Sequence, residues 1–139
     1  MTPIRRNPQS VLLSSELRTL YDEVLLYYEN DDTDFRCYNL NTNPFLSNLQ
    51  EKKGFKLQSN MENVDDTINT FYFTNSKNQK IKSWFFHLRN AFAHNRIFRN
   101  EGEDIMKIED VDRGRLTMIA TRSSFEKLVE IITSIKQQQ

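Results

Sequence analysis

The sequence predicts an all-α fold, a small up-and-down bundle of four or five helices with a short β-hairpin before the last helix. Three observations lead there. Apolar residues recur at helical spacing in four separate segments. Phenylalanine (10) and tyrosine (5) are abundant while glycine and proline number 3 each, a composition that disfavours a turn-rich β fold. Helix-start signatures precede several of the periodic segments. A chain of 139 residues is one domain's length, divided here into a flexible arm over residues 1–10 and a single domain over 11–139.

The elements follow in order. Ser14 or Ser15 caps a first helix reaching about Glu29, with Leu17, Leu20, Tyr21, Val24 and Tyr28 on one side. Asn30-Asp31-Asp32 ends it. Asn43-Pro44 reads as an N-cap followed by proline at the first helical position, and Gly54 as the residue past the end of a short helix carrying Phe45, Leu46 and Leu49. Ser59-x-x-Glu62 has the form of a capping box for a third helix with Val64, Ile68 and Phe71 or Tyr72. From Gln79 to Ile97, Ile81, Trp84, Phe85, Leu88 and Phe92 form a core-facing stripe. Ile105 to Val111 and Leu116 to Ala120 are two short strands around Asp112-Arg113-Gly114. Ser123-x-x-Glu126 opens a final helix that turns Phe125, Leu128, Val129, Ile132 and Ile135 inward.

Charge restrains the functional reading. Lys and Arg total 19, as do Asp and Glu, so the chain as a whole has no positive field with which to gather nucleic acid. Arg89, Arg96 and Arg99 with Lys80 and Lys82 make one region locally basic, before Glu101 to Asp104 turn acidic. That pattern suits a small phosphate site and opposes broad duplex binding. No apolar run approaches 18 residues and no apolar segment follows Arg5-Arg6, so neither a membrane span nor a signal peptide is expected. A single cysteine, Cys37, forms no internal disulfide and is expected as a small buried or half-buried residue. The expected location is cytoplasmic.

The chemistry concentrates in Arg89-Asn90-Ala91-Phe92-Ala93-His94. Asn90 and His94 are four apart and neighbour each other opposite the apolar stripe; His87 lies on the same side. Phe86 and Ala93 share that face, leaving it half apolar and half polar, as a homodimer interface requires. The residue types fit RNA cleavage without a metal. An imidazole moves protons near neutral pH, and a guanidinium matches phosphate oxygens. An amide four residues away can orient either.

The spacing Arg89-Asn90-x3-His94 resembles the R-x(4–6)-H motif of the HEPN superfamily. The string HLRNAFAHNRI over 87–97, with the hairpin and helix after it, resembles a plasmid- and bacterium-borne branch of that family. The resemblance covers about residues 78–135. It implies a metal-independent endoribonuclease, a toxin or defence factor, acting as a homodimer on single-stranded or loop RNA with its site at the dimer interface. His94 then takes the motif histidine, Arg89 the motif arginine and Asn90 the polar position, with Arg96 and Arg99 as further RNA contacts and a possible antitoxin protein as partner. The alternative is a catalytically silent HEPN module that binds RNA, a nucleotide or a protein. His87 matches no part of the motif and is expected as a packing or solvent residue.

No other chemistry is indicated, and neither a metal nor a cofactor is expected. Two histidines without a Cys, His or carboxylate set do not make a zinc site. There is no glycine-rich phosphate loop and no G-x-S-x-G elbow. The final helix lacks the basic polar face of a membrane-seeking one.

Overall fold

The computed structural model describes residues 12–35 and 45–137. The arm over 1–10, Cys37 and the Asn43-Pro44 cap lie outside them. The chain is mixed α/β, and this overturns the expected all-α bundle. Helix α1 (Ser14–Leu20) runs without a break through a π-helical stretch (Tyr21–Leu26) into a short α2 (Tyr27–Glu29). Then follow α3 (Phe45–Lys53), β1 (Lys56–Gln58), β2 (Thr70–Phe73), α4 (Lys80–Ala93), β3 (Ile97–Arg99), β4 (Ile105–Asp112), β5 (Arg115–Ser124) and α5 (Phe125–Lys136). The five strands form one sheet in the order β1-β2-β5-β4-β3. Only the β1–β2 pair is parallel.

The largest departure from expectation lies over residues 59–72. The capping-box spacing at Ser59 and Glu62 starts no helix, and Val64 and Ile68 are exposed. The stretch is turns leading into β2, with Asn69 in the left-handed region at φ 54°. Thr70-Phe71-Tyr72-Phe73 is β-branched and aromatic throughout, and all four residues are buried. Strand β2 finds its partner in β5, with Tyr72 opposite Ile119 and Phe73 opposite Met118. A weak local helix signal loses to a ladder plus burial.

The central hairpin is where the sequence places it, but longer. β4 and β5 pair from Ile105–Ser124 to Asp112–Arg115. Arg113 (φ 52°) and Gly114 (φ 77°) make the two-residue turn. Positive φ at both positions is the type I′ geometry, which favours Asn-Gly because its twist matches the flanking strands. Arginine pays a steric cost there. Arg113→Asn is expected to stabilise the chain by about 0.5 to 1 kcal/mol, visible as a higher melting temperature. An unchanged or lower value would contradict the turn assignment.

Helix α4 packs on β2 and β4. Trp84 stands edge-on to Phe71 of β2, ring centroids 5.5 Å apart, and Phe85 meets Tyr27 and Phe35 on the other side. Ile81, Trp84, Phe85 and Leu88 are fully or almost fully buried, so the predicted stripe does face the core. Leu128, Ile131, Ile132 and Ile135 of α5 complete it. Ser124, one residue later than expected, caps α5 by accepting from the Lys127 N–H. Glu16 accepts from the Leu13 N–H and takes both terminal nitrogens of Arg99, tying the first helix to β3. No helix of the described residues is long and apolar enough to cross a membrane.

Candidate active site

Helix α4 ends in a Schellman arrangement. Asn95 adopts the left-handed conformation at φ 54°, and the Arg96 N–H reaches back to the Ala91 carbonyl at 2.8 Å. Asparagine tolerates that conformation. The helix therefore stops at His94 rather than continuing to Ile97, and Ile97 to Arg99 become an edge strand instead. His94 is the C-cap residue, exposed at the helix end, one turn beyond Asn90 and two beyond His87.

These three side chains share a cleft of about 180 Å³ with Ser76, Phe86, Asp110, Val111, Asp112 and Thr117. Its floor is a buried polar network. His87 Nδ1 lies 2.7 Å from Asp110 Oδ2, with both side chains almost fully buried (2% and 4% exposed). His87 Nε2 lies 2.9 Å from the Thr74 carbonyl oxygen and 3.1 Å from Ser76 Oγ. The Asp110 carboxylate only accepts, so Nδ1–H donates to it. At Nε2 the ring meets the Thr74 carbonyl and two hydroxyls, Thr74 Oγ1 at 3.2 Å and Ser76 Oγ at 3.1 Å. Both edges of the ring are thereby held in place.

Asn90 extends the network in both directions. Its Nδ2 donates to Asp110 Oδ2 at 3.2 Å, and its Oδ1 accepts from Arg89 Nη1 at 3.0 Å. Arg89 Nε donates to Glu29 Oε1 at 2.8 Å, and Nη2 pairs with the same oxygen. A chain of contacts therefore runs from Glu29 through Arg89, Asn90 and Asp110 to His87. Thr117 Oγ1 donates to the Asp110 carbonyl at 3.1 Å, fixing the strand that carries the acid.

Burial pushes the Asp110 carboxyl up, but hydrogen bonds from His87 and Asn90 outweigh it and leave the pKa below the ordinary value. Glu16 is lowered too, chiefly by its hydrogen bond from Arg99, against a smaller opposing effect of burial. A carboxyl with a depressed folded pKa takes up its proton more readily in the unfolded chain. Its contribution is full above the ordinary carboxyl range and is lost as pH falls toward the depressed value. Melting temperature is therefore expected to be level down to about pH 5 and to fall progressively below it. A melting temperature that is flat to pH 3 would refute this account.

Compared with protein-family models, curated proteins and solved structures, the chain matches none. The site stands on its own geometry.

Of the residues singled out from sequence, Asn90 and His94 line the cleft. Arg89 stands behind Asn90, its fork occupied by Glu29. Arg96 and Arg99 lie elsewhere: Arg96 approaches the buried Glu109 at 3.8 Å, and Arg99 is engaged by Glu16. No lysine or arginine lines the cleft among the described residues. His87 is buried and packs on Phe73 and Phe86, and its two ring nitrogens also make it the centre of the polar floor. Sequence reasoning missed Asp110, Ser76 and Thr117. The available signal was Glu109-Asp110, two consecutive acids in the middle of a strand between Ile108 and Val111; their pairing with α4 needs the register of β4 and is invisible along the chain. Among the described residues no three His, Cys, Asp or Glu side chains are arranged to hold a metal ion.

The apolar half of the motif-helix face is largely taken up within the chain. Phe86 packs on Tyr28 at 5.8 Å and on the His87 ring, with Lys77 Nζ 4.2 Å above it. Ala93 and His94 stay exposed.

Proposed function

We propose that this chain is a metal-independent endoribonuclease whose proton-transfer group is His94. The observation that carries the reading is the cleft itself, in which a solvent-reachable imidazole at the rim faces a polar floor built on a second, buried imidazole and its carboxylate partner. RNA cleavage by its own 2′-hydroxyl needs a base for that proton, positive character near the pentavalent phosphorus and an acid for the departing 5′-oxygen. His94 exchanges the protons. The Ser76 hydroxyl beside His87 Nε2 presents a donor to the cleft. Asn90 positions Asp110 and through it His87. Arg89 reaches a substrate phosphate by exchanging Glu29 for it.

The HEPN-like string over 87–97 supports the same residues, whereas the five-stranded sheet gives no support for an all-helical architecture. The reading therefore rests on the cleft. The biological setting proposed is that of a growth-inhibiting or defence toxin in the cytoplasm, acting as a homodimer and restrained by an antitoxin protein. Its test is incubation of the chelator-treated protein with single-stranded and hairpin RNA. Cleavage leaving 2′,3′-cyclic phosphate ends is expected; cleavage only with added Mg²⁺ would refute the mechanism. Growth arrest on expression, relieved by His94→Ala, is the matching result in cells.

A second reading has its own observation. Two aspartates line the cleft and Arg89 is neutralised by Glu29, so the site also suits a silent module that binds RNA, a nucleotide or a partner protein without cleaving. RNA binding of equal strength by the wild type and His94→Ala, with cleavage by neither, would establish it.

A further inference from the structure

Four of the six large apolar side chains exposed among the described residues lie on or just before the first helix: Leu13 (58% exposed), Leu17 (42%), Tyr21 (45%) and Leu26 (44%). The spacings are four, four and five. In the α-helical part, residues four apart are neighbours along one face. From Tyr21 the backbone is π-helical, and its i→i+5 hydrogen bonds stack residues five apart. The change of helix type falls where the spacing changes, so Leu26 follows Tyr21 along the stripe instead of rotating away from it. The opposite demand on this helix is met separately, since Glu16, Leu20 and Val24 are buried. A contiguous apolar stripe beside a satisfied core face marks an interaction surface.

The stripe is self-complementary. Arg18 and Asp22 follow Leu17 and Tyr21 on one flank, both exposed and 3.5 Å apart. When two copies of this helix cross antiparallel about a two-fold axis between Thr19 and Leu20, Leu13 of one faces Leu26 of the other and Leu17 faces Tyr21. Like flanks then meet, so Arg18 falls opposite Asp22 of the second copy and Asp22 opposite its Arg18. The apolar pairs and the charge pairs all centre within one residue of the same point.

We propose that residues 13–26 form an isologous docking surface for a second copy of this chain. The contact is apolar along its middle and edged by two symmetry-related ion pairs. None of its residues lines the cleft on α4, and the proposal is independent of whether that cleft cleaves RNA.

Sedimentation of the full chain tests it. The wild type is expected to be a dimer at about 10 µM, within the common range for such surfaces, and Leu17→Glu a monomer with an unchanged circular dichroism spectrum. Arg18→Asp and Asp22→Arg are each expected to weaken self-association by about tenfold or more, because like charges then face each other. Mixed together, these two variants are expected to form a heterodimer, since each supplies the charge the other lacks. A monomeric wild type would overturn the proposal, including one whose stripe is covered by its own first eleven residues. So would a dimer that survives Leu17→Glu, or a mixture of the charge variants that stays monomeric.

Discussion

Replacing Asp110 with alanine is expected to destabilise the protein by about 2 to 6 kcal/mol, since two buried donors lose their acceptor at about 1 to 3 kcal/mol each. The carboxylate accepts from His87 Nδ1 at 2.7 Å and from Asn90 Nδ2 at 3.2 Å, and both members of the His87–Asp110 pair are almost fully buried. Its loss leaves the His87 ring and the Asn90 amide facing a hole. Water then enters from the cleft or the helix end moves, and either response loosens the polar floor. Asp110→Asn keeps the shape and one acceptor, so it is expected to cost less. Urea unfolding at pH 7 decides the matter. An alanine variant within about 1 kcal/mol of the wild type, at the level of a surface pair, would mean that the network is far looser than its distances imply.

Most of the same network was closed to sequence reading, for a physical reason. Helical periodicity is local, so the core stripe of α4, the final helix α5 and the position of the β4–β5 hairpin were legible. Strand pairing is not local. Thr70 to Phe73 reads as the end of an amphipathic helix until β5 is beside it, and Ile97 to Arg99 as the tail of α4 until Asn95 turns the chain toward β4. The site divides along the same line. Asn90 and His94 share one helix face and announce themselves by spacing. Asp110 lies 20 residues beyond Asn90 and 23 beyond His87, and only the register of β4 brings it beneath them. His87 reads as a packing or solvent residue because its partner is not visible along the chain. Arg99 reads as an RNA contact because Glu16, 83 residues away, gives no local sign of claiming it.

The His94 imidazole separates catalysis from mere binding most sharply. It caps α4, is exposed at the rim of the cleft and makes no core contact that folding requires. His94→Ala is therefore expected to leave the melting temperature almost unchanged, as surface substitutions do, to within about 0.5 kcal/mol. Removing a positioned proton-transfer group lowers the rate by about 10² to 10⁴-fold. Cleavage of a single-stranded RNA by His94→Ala should fall in that range at saturating substrate, with KM little altered because the group acts on the transition state. Arg89→Ala offers the contrast. Its guanidinium is shared with Glu29 and Asn90, so its loss is expected to weaken binding and turnover together. Single-turnover kinetics at pH 7 distinguish the two patterns. Wild-type rates from His94→Ala would end the assignment of His94 as the proton-transfer group. A loss matched by an equal fall in RNA affinity would make it a binding residue instead.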